Sequence, residues 1–168
     1  PQQALSAPQR EWLGQIQTAG WHLLEMINDT LDLSRIESGT LKLEPEATEL
    51  PAIVAASLAM LERPIQARGV AVTQALAPEA ARVHADPTRV KQILTNLLSN
   101  AVKYNVDGGR IHVASRRESA DHVEIAVTDT GLGMTPQQMA ELFQPFNRLG
   151  RERSTLEGTG IGLVISQR

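Results

Sequence analysis

Apolar residues recur every three or four positions from about residue 8 to residue 37, and this period predicts one long helix. Pro8 suits the first turn, and Ser38-Gly39 ends the helix because glycine readily adopts the left-handed conformation. The apolar positions are Leu13, Ile16, Leu23, Leu24, Ile27 and Leu31. A helix of this length cannot bury such a stripe alone, so we expect a partner helix from the same polypeptide or from a second chain.

Short strands and helices alternate along the rest of the chain. The alternation of apolar and polar residues predicts strands at 41–44, 70–73, 83–85, 110–116 and 123–128. The three-to-four period predicts helices at 53–66, 87–104, 136–143 and from 161 onward, with Pro64 ending or distorting the first of them. The inward residues of that helix are predicted to be Ile53, Leu58, Leu61 and Ile65. This order predicts an α/β two-layer sandwich, with the helices packed against one face of a mixed sheet.

The helix at 87–104 separates polar from apolar side chains. Asp86 is predicted to cap it and Pro87 to occupy its first position. Because each residue advances by about 100°, Asn96, Asn100 and Lys103 share one face. The residues predicted to face the core are Val90, Ile93, Leu94, Leu97 and Ala101. Taken alone, the helix is equally typical of an ordinary amphipathic helix with a solvated polar face.

Two glycine-rich segments flank regular elements. Asp129-Thr130-Gly131-Leu132-Gly133-Met134 follows an apolar strand, where a carboxylate can accept a hydrogen bond from an exocyclic amine and glycines let a flat ligand approach the backbone. Glu157-Gly158-Thr159-Gly160-Ile161-Gly162-Leu163 opens a helix, whose first N–H groups favour phosphate. Either segment alone is also typical of a plain turn.

The segment between these glycines holds both phenylalanines of the chain, Phe143 and Phe146, which we expect to anchor its base in the core. Three cations follow at Arg148, Arg151 and Arg153, placed either to meet a triphosphate or to lie in a solvated loop. The polar stretch 147–159 has no clear period, so it is interpreted as a functional loop or as disorder.

Composition narrows the classes of function. A net charge of −3 gives no basic surplus, and 3% aromatic residues give no base-stacking platform, so no nucleic-acid partner is expected. No apolar run reaches the ~18 residues of a membrane span. Because the chain begins at Pro1 without a methionine, we expect it to belong to a longer parent polypeptide. We expect this part to lie in the cytoplasm, whether the parent is free or is anchored to a membrane elsewhere.

The four segments at 96–104, 129–134, 142–148 and 157–163 resemble, in this order and at these separations, the N, G1, F and G2 boxes of the catalytic ATP-binding domain of sensor histidine kinases. This domain belongs to a superfamily shared with gyrases, heat-shock chaperones and mismatch-repair ATPases. Residues 27–39 are similar to the second helix of the family's dimerisation and phosphoacceptor hairpin. The resemblance implies that residues 1–38 are this helix and that residues 39–168 are a Bergerat-type ATP-binding domain lacking its final strands.

The resemblance also implies roles for individual residues in binding ATP and Mg²⁺. Asp129 would accept a hydrogen bond from the adenine amine, and Tyr104 would lie along the base. Asn100 would be the ligand of Mg²⁺, with Asn96 beside it near the phosphates and Lys103 on the phosphate chain. Gly131 and Gly133 would shape the base pocket, while Gly158, Gly160, Gly162 and Arg148 would serve the phosphates. The residues implied in phosphoryl transfer itself are Arg148, Lys103 and Asn96.

The family's phosphoacceptor histidine lies in a box on the first hairpin helix, and nothing in this sequence matches that box. His22 lies within the predicted second helix and is interpreted as a packing or surface residue; the other three histidines lie in or beside strands without a motif. The resemblance therefore implies transfer to a histidine on a helix outside this chain, usually within a homodimer formed by the hairpin. An aspartate of a response-regulator receiver domain would then receive the phosphoryl group.

Two alternatives stay open. Hydrolases that share the ATP-binding fold, such as type II topoisomerases, place a glutamate on the asparagine helix to activate water. Here the residue one turn before Asn100 is Asn96, and residues 89–104 contain no carboxylate, which favours transfer over hydrolysis. The second alternative is a non-catalytic signalling scaffold, against which the full set of nucleotide residues argues.

Overall fold

Six helices and five strands make up the part of the chain that the computed structural model describes, residues 6–147 and 159–167. The helices are α1 (Ala7–Glu37), α2 (Leu50–Met60), α3 (Glu62–Ala67), α4 (Pro87–Lys103), α5 (Pro136–Ala140) and α6 (Gly162–Gln167). The strands are β1 (Glu46–Glu49), β2 (Ala71–Leu76), β3 (Arg82–Ala85), β4 (Arg110–Arg117) and β5 (Val123–Asp129). A 3₁₀ turn spans Pro78–Ala80.

The main sheet has three strands in the order β2-β4-β5, with β2 parallel and β5 antiparallel to the central strand. Alternate residues of β4, namely Ile111, Val113 and Ser115, are buried, whereas Arg110 before them and His112 between them are exposed. One face of the mixed sheet is therefore covered and the other is open. This confirms the predicted two-layer arrangement, to which β1 and β3 add a separate antiparallel pair.

The core lies between the covered face of the sheet and helices α2 and α4. Its fully buried members include Leu50, Val54, Leu98, Ile111 and Val113. The predicted core stripe of α4 is only partly right: Leu94 and Ala101 are buried, but Leu97 and Ile93 are half-buried. The buried stripe also includes Leu98 and Val102, because α4 packs against α2 and α6 as well as against the sheet and so buries more than one stripe.

Three predicted elements differ from the structure. No strand forms at 41–44; the strand begins after Pro45, where backbone N–H groups are free to pair with β3. The helix predicted at 53–66 breaks at Leu61, which lets Pro64 sit in the first turn of α3, where no helical N–H is needed. The helix predicted at 136–143 ends at Ala140 and continues only as turns.

Helix α1 follows its prediction at both ends. Ser6 and Gln9 form a capping box at its start, and Gly39 adopts a φ of +65° just beyond its last turn. Most of its apolar side chains are exposed, including Trp12, Ile16, Trp21 and Leu31. Among the described residues, no helix is both long enough and apolar enough to cross a membrane.

The C-terminal half of α1 packs against α6 and against the start of α4. Leu33 forms a small buried cluster with Ile161, Val164 and Ile165. Beside this cluster, the Asp32 carboxylate accepts hydrogen bonds from Arg89 at 2.7 Å and from Gln92 at 3.0 Å. The Asp32 and Arg89 side chains are only 15% and 25% exposed, so this ion pair is shielded from water.

We expect Asp32→Ala to lower the free energy of unfolding by about 1 to 3 kcal/mol, because it leaves a shielded guanidinium without its charged partner. Glu49→Ala is the matched control, since it breaks an ion pair with Arg82 whose side chains are 55% and 86% exposed, and such a pair contributes at most about 1 kcal/mol. Urea unfolding of both variants measures the difference. Equal losses in the two variants would contradict the shielding of the Asp32 pair.

Candidate functional site

A cavity of about 490 Å³ opens between α4, the end of β5 and α6. This volume lies within the range of small-molecule sites. Residues from six parts of the chain line it, grouped here by element. They are Asp29 of α1; Asn96, Leu97, Ser99, Asn100, Ala101, Lys103 and Tyr104 at α4; Val127 and Asp129 of β5; Gly133 and Met134; Gln138, Leu142 and Asn147; and Thr159, Gly160, Gly162 and Leu163.

The polar face of α4 forms one wall of the cavity. Asp86 caps the helix by accepting hydrogen bonds from the N–H groups of Thr88 and Arg89, as the sequence predicted. Two turns further on, Asn96, Asn100 and Lys103 all line the cavity, so the face identified in the sequence turns toward the cavity rather than bulk solvent. The Lys103 ammonium lies 4.9 Å from the centre of the Tyr104 ring, which sets a cation beside an aromatic face.

The loop after β5 forms the opposite wall and is fastened to the end of α4. The Gly131 N–H donates to one carboxylate oxygen of Asp129 at 2.7 Å, and the Leu132 N–H donates to the Tyr104 carbonyl at 3.1 Å. These bonds fix the direction of the Asp129 carboxylate at the edge of the cavity. Gly133 adopts a φ of +63°, a backbone conformation that favours glycine.

Two residues that the sequence analysis did not single out hold this junction together. The Asn105 side chain is buried; its amide nitrogen donates to the Arg110 carbonyl at 3.1 Å, and its oxygen accepts from the Thr130 hydroxyl at 3.2 Å. The Thr130 hydroxyl in turn accepts from the Arg110 N–H at 2.9 Å. A polar residue directly after the helix was the available signal, but its partners are distant in sequence.

Gly131 lets the backbone of the loop after β5 lie closer to the Tyr104 carbonyl than any residue with a side chain would allow. A Cβ atom at this position would lie 2.5 Å from the Tyr104 carbonyl oxygen and 2.6 Å from an Asp129 carboxylate oxygen. We expect Gly131→Ala to lower the free energy of unfolding by about 1 to 3 kcal/mol through overpacking. Gly14→Ala on α1, where a Cβ meets open space, is the control and is expected to stabilise slightly. Denaturant unfolding measures both, and equal stability of the two variants would refute this steric account.

The third wall is formed by the start of α6, which is tied to α4 by the Asn96 side chain. The Asn96 amide nitrogen donates to the Gly162 carbonyl at 3.1 Å, and a Cβ atom at Gly162 would lie 3.1 Å from that amide. Gly160 has a φ of +72° and accepts a hydrogen bond from the Phe146 N–H at 3.2 Å. Glycine at 162 therefore lets this backbone lie against α4, and glycine at 160 lets it lie against the backbone of Phe146 and Asn147.

The expectation that both phenylalanines anchor the segment in the core is wrong. The Phe143 and Phe146 side chains are 43% and 62% exposed, and Phe146 has a φ of +64°. Among the described residues, the Phe146 N–H instead donates to the Gly160 carbonyl at 3.2 Å. The Asn147 side chain adds bonds to Glu141 and Gln144.

One cavity-lining carboxylate, Asp29, comes from α1 rather than from the α/β layers. It accepts a hydrogen bond from the Thr159 hydroxyl at 2.8 Å, next to Gly160. Burial raises the pKa of Asp29 above its ordinary value, against the bond from Thr159 and with a contribution from the charge of Asp32. For Asp32 itself, burial acts in the same direction, but the bonds from Arg89 and Gln92 and the charges of Arg89 and Arg35 outweigh it and hold its pKa below the ordinary value.

These two shifts have opposite consequences for stability. The ionised form of Asp29 is disfavoured in the folded chain, so we expect Asp29→Asn to raise the unfolding midpoint at pH 7 while keeping the bond from Thr159. The gain should shrink as the pH falls through the raised pKa toward 3.8, the value of an unperturbed aspartate. The Asp32 contribution, by contrast, is present above 3.8 and is lost as the pH falls through its lowered pKa. Thermal unfolding of Asp29→Asn and Asp32→Ala from pH 7 to below pH 3 separates the two signs, and a stability loss in Asp29→Asn at pH 7 would overturn this interpretation.

The structure brings most of the sequence-predicted site residues into this cavity. Eight of them line it: Asn96, Asn100, Lys103, Tyr104, Asp129, Gly133, Gly160 and Gly162. Gly131 lies directly behind, against the Tyr104 carbonyl, while Arg148 and Gly158 fall outside the described residues, as do Arg151 and Arg153. His84, His112 and His122 do not line the cavity, and within the described ranges no three histidine or acidic residues cluster as a metal site.

Most of the residues that line the cavity lie in a region that matches a known protein family. Residues 85–168 match the family described as "Histidine kinase-, DNA gyrase B-, and HSP90-like ATPase". The chain is 33% identical over 167 residues to the "Cell-division control histidine kinase PdhS" of Brucella anthropi, covering 94% of this chain and 16% of that protein. It is 35% identical over 156 residues to the "Non-motile and phage-resistance protein" of Caulobacter vibrioides, covering 90% and 18%. The chain thus spans less than a fifth of the length of these relatives.

A solved structure resembles the whole described fold, including α1. Full-length ShkA in complex with AMPPNP superimposes with a TM-score of 0.78 at 26% identity, covering 97% of this chain and 34% of that one. The likeness therefore extends beyond the α/β layers to the helix that packs on α6.

Proposed function

Because the chain belongs to the family of histidine kinase-, DNA gyrase B- and HSP90-like ATPases, we propose that its cavity binds Mg²⁺-ATP for phosphoryl transfer to a histidine. The whole protein is then a sensor histidine kinase, and this chain is its ATP-binding part with the second hairpin helix. One observation carries the proposal: the Asp129 carboxylate at the end of β5 and the amides and ammonium of α4 converge on one cavity of about 490 Å³.

Asp129 reads the base in this proposal. One of its carboxylate oxygens is occupied by the Gly131 N–H, so the second is left to accept from an exocyclic amine at the cavity edge. Adenine carries such an amine, whereas guanine presents a carbonyl oxygen in the equivalent position, and this selects ATP over GTP. Tyr104 lies along the base, and the close packing of Gly131 and Gly133 keeps the pocket thin enough for a flat ring.

The polar face of α4 receives the phosphates. Mg²⁺ prefers oxygen ligands and is usually held by few protein groups together with substrate phosphates. The Asn100 amide oxygen fits that donor set, and the cavity holds no histidine or cysteine among its described lining residues. When bound, the ion neutralises charge on the β- and γ-phosphates. Lys103 supplies a further positive charge on the phosphate chain, and Gly160 and Gly162 bring backbone close to it; Gly158 and Arg148 are proposed to act beside them.

The catalytic contribution of these residues is orientation and neutralisation of charge, as expected for phosphoryl transfer. The Asn96 side chain is an amide, and an amide cannot act as a general base for water. Its nitrogen donates to the Gly162 carbonyl and so holds α6 in place. This favours transfer to an incoming histidine over hydrolysis. The acceptor histidine belongs to the first hairpin helix of the parent polypeptide, in the cytoplasm where ATP is available.

Two partners follow from the proposal. The exposed apolar side chains of α1, such as Leu13, Ile16 and Leu31, suit a helical bundle that makes the protein a homodimer. A response-regulator receiver domain then takes the phosphoryl group on an aspartate.

Labelling of the parent polypeptide with [γ-³²P]ATP tests the proposed function. We expect protein-bound label that is stable in alkali and lost in acid, the behaviour of phosphohistidine. Lys91→Ala, an exposed change on α4, should leave the labelling unaltered. Release of inorganic phosphate without labelled protein would indicate a hydrolase instead, and binding without either product would indicate a scaffold.

A further inference from the structure

Arg68, which directly follows α3, donates three hydrogen bonds to backbone carbonyls at the C-terminal end of α4. Its guanidinium donates to the carbonyls of Val102 at 2.6 Å, Lys103 at 2.7 Å and Asn105 at 2.6 Å. The last carbonyls of a helix have no partner within it, and they form its negative end. The Arg68 guanidinium therefore donates to three backbone carbonyls of the turn at which α4 ends.

This turn is the one that carries the base side of the cavity. Tyr104 lies between two of the carbonyls that Arg68 holds, and its own carbonyl accepts from the Leu132 N–H at 3.1 Å. Asn105 joins the same turn to Thr130. A displacement of the turn therefore moves both Tyr104 and the loop that orients Asp129, while Asn96 and Asn100 lie earlier in the helix.

We propose that Arg68 is a positioning residue for recognition of the nucleotide base, an inference that rests on the proposed function of the cavity. Arg68 does not line the cavity and acts through the backbone of the turn. Its part is to keep the distance between Tyr104 and Asp129 fixed, so that the pocket fits adenine and rejects guanine. Within the described residues, the hydrogen bonds of Arg68 are with the backbone of Val102, Lys103 and Asn105 and with Asp107, and not with the side chains of Asn96 and Asn100.

The ion pair that Arg68 also makes offers a matched control. Its Nε donates to Asp107 at 3.1 Å, but the Asp107 side chain is 85% exposed, so this pair contributes little. Asp107→Ala removes the pair and leaves the three carbonyl bonds in place. Arg68→Lys keeps the charge at the helix end but replaces a planar fork with a single ammonium that cannot reach the same three acceptors.

The test is calorimetric titration of the full chain with non-hydrolysable ATP and GTP analogues in Mg²⁺, at a temperature well below each variant's unfolding midpoint. We expect Arg68→Ala to displace the turn and so to weaken ATP binding roughly tenfold, the effect of losing one strong hydrogen bond between Asp129 and the base. The ATP-to-GTP preference should fall as well. Asp107→Ala should match the unaltered chain. Leu58→Ala, which removes a half-buried side chain of α2 and none of the Arg68 hydrogen bonds, should keep the preference even where it lowers stability.

The outcomes separate failure of the Arg68 role from failure of the proposed function. If the unaltered chain binds neither analogue, the proposed function is wrong, and this inference fails with it. If the unaltered chain prefers ATP and Arg68→Ala keeps the same preference, the inference alone is wrong, as it is if Leu58→Ala loses the preference equally. If Arg68→Ala does not fold, Arg68→Lys decides: an intermediate preference supports a positioning role, and an unaltered one overturns it.

Discussion

An Asp129→Asn variant is expected to bind ATP roughly ten to a hundred times more weakly than the unaltered chain, which corresponds to one hydrogen bond to a charged acceptor. The Gly131 N–H donates to one oxygen of the Asp129 carboxylate at 2.7 Å. To keep that bond, an asparagine must turn its amide oxygen toward Gly131. Its NH₂ group then points at the adenine amine, and two donors face each other. Titration calorimetry with a non-hydrolysable ATP analogue and Mg²⁺ measures the loss.

The same substitution should narrow the discrimination against GTP, because an amide NH₂ can donate to the guanine carbonyl oxygen. Asp121→Asn, in the exposed turn before β5, is the matched control and should leave both affinities unchanged. Unchanged ATP affinity in a folded Asp129→Asn variant would remove Asp129 from base recognition.

Replacing Asn100 by alanine is expected to lower the rate of phosphoryl transfer by roughly a hundredfold to a thousandfold, the cost of removing one preorganised group that stabilises developing charge. Asn100 lines the cavity one turn after Asn96, and its amide oxygen is the ligand that we propose for Mg²⁺. The variant should bind the ATP analogue about equally with and without Mg²⁺. The contact that we propose between Asp129 and adenine is not altered by this change, so binding without the metal should match the unaltered chain.

Titrations at several Mg²⁺ concentrations, combined with labelling of the parent polypeptide, measure both effects of the Asn100 change. Lys91→Ala, exposed on the same helix, serves as the control for altering α4 without altering the cavity. If Asn100→Ala keeps the full dependence on Mg²⁺, the ion is held elsewhere. If Asn100→Ala and Asp129→Asn have identical profiles, the separation of phosphate and base roles is wrong.

The parts of the site that the sequence predicted are those set by local rules. Asp86 and Pro87 start α4 through capping and a fixed φ, and the helical period then places Asn96, Asn100 and Lys103 on one side. The position of Asp129 at the end of β5 follows from the apolar strand before it. Each of these predictions depends only on residues within a few positions of one another.

What the sequence did not reveal depends on contacts between distant residues. Asn105 pairs with Thr130 across 25 positions and Thr159 with Asp29 across 130, so no local period signals either bond. The prediction that both phenylalanines are buried was wrong: it followed from their apolarity, but both rings are exposed, and Phe146 is bonded to Gly160 through its backbone. The prediction of a strand at 41–44 was wrong. It used the alternation of Leu41 and Leu43, but pairing with β3 determines where β1 begins, and that pairing starts at Glu46.

The central claim is that this cavity binds Mg²⁺-ATP and reads adenine. Calorimetric titration of the unaltered chain with a non-hydrolysable ATP analogue, with and without Mg²⁺ and beside the GTP analogue, tests it most directly. We predict saturable one-to-one binding that Mg²⁺ tightens and that strongly prefers adenine. A chain that circular dichroism shows to be folded, yet that binds neither nucleotide or binds both equally, would contradict the account.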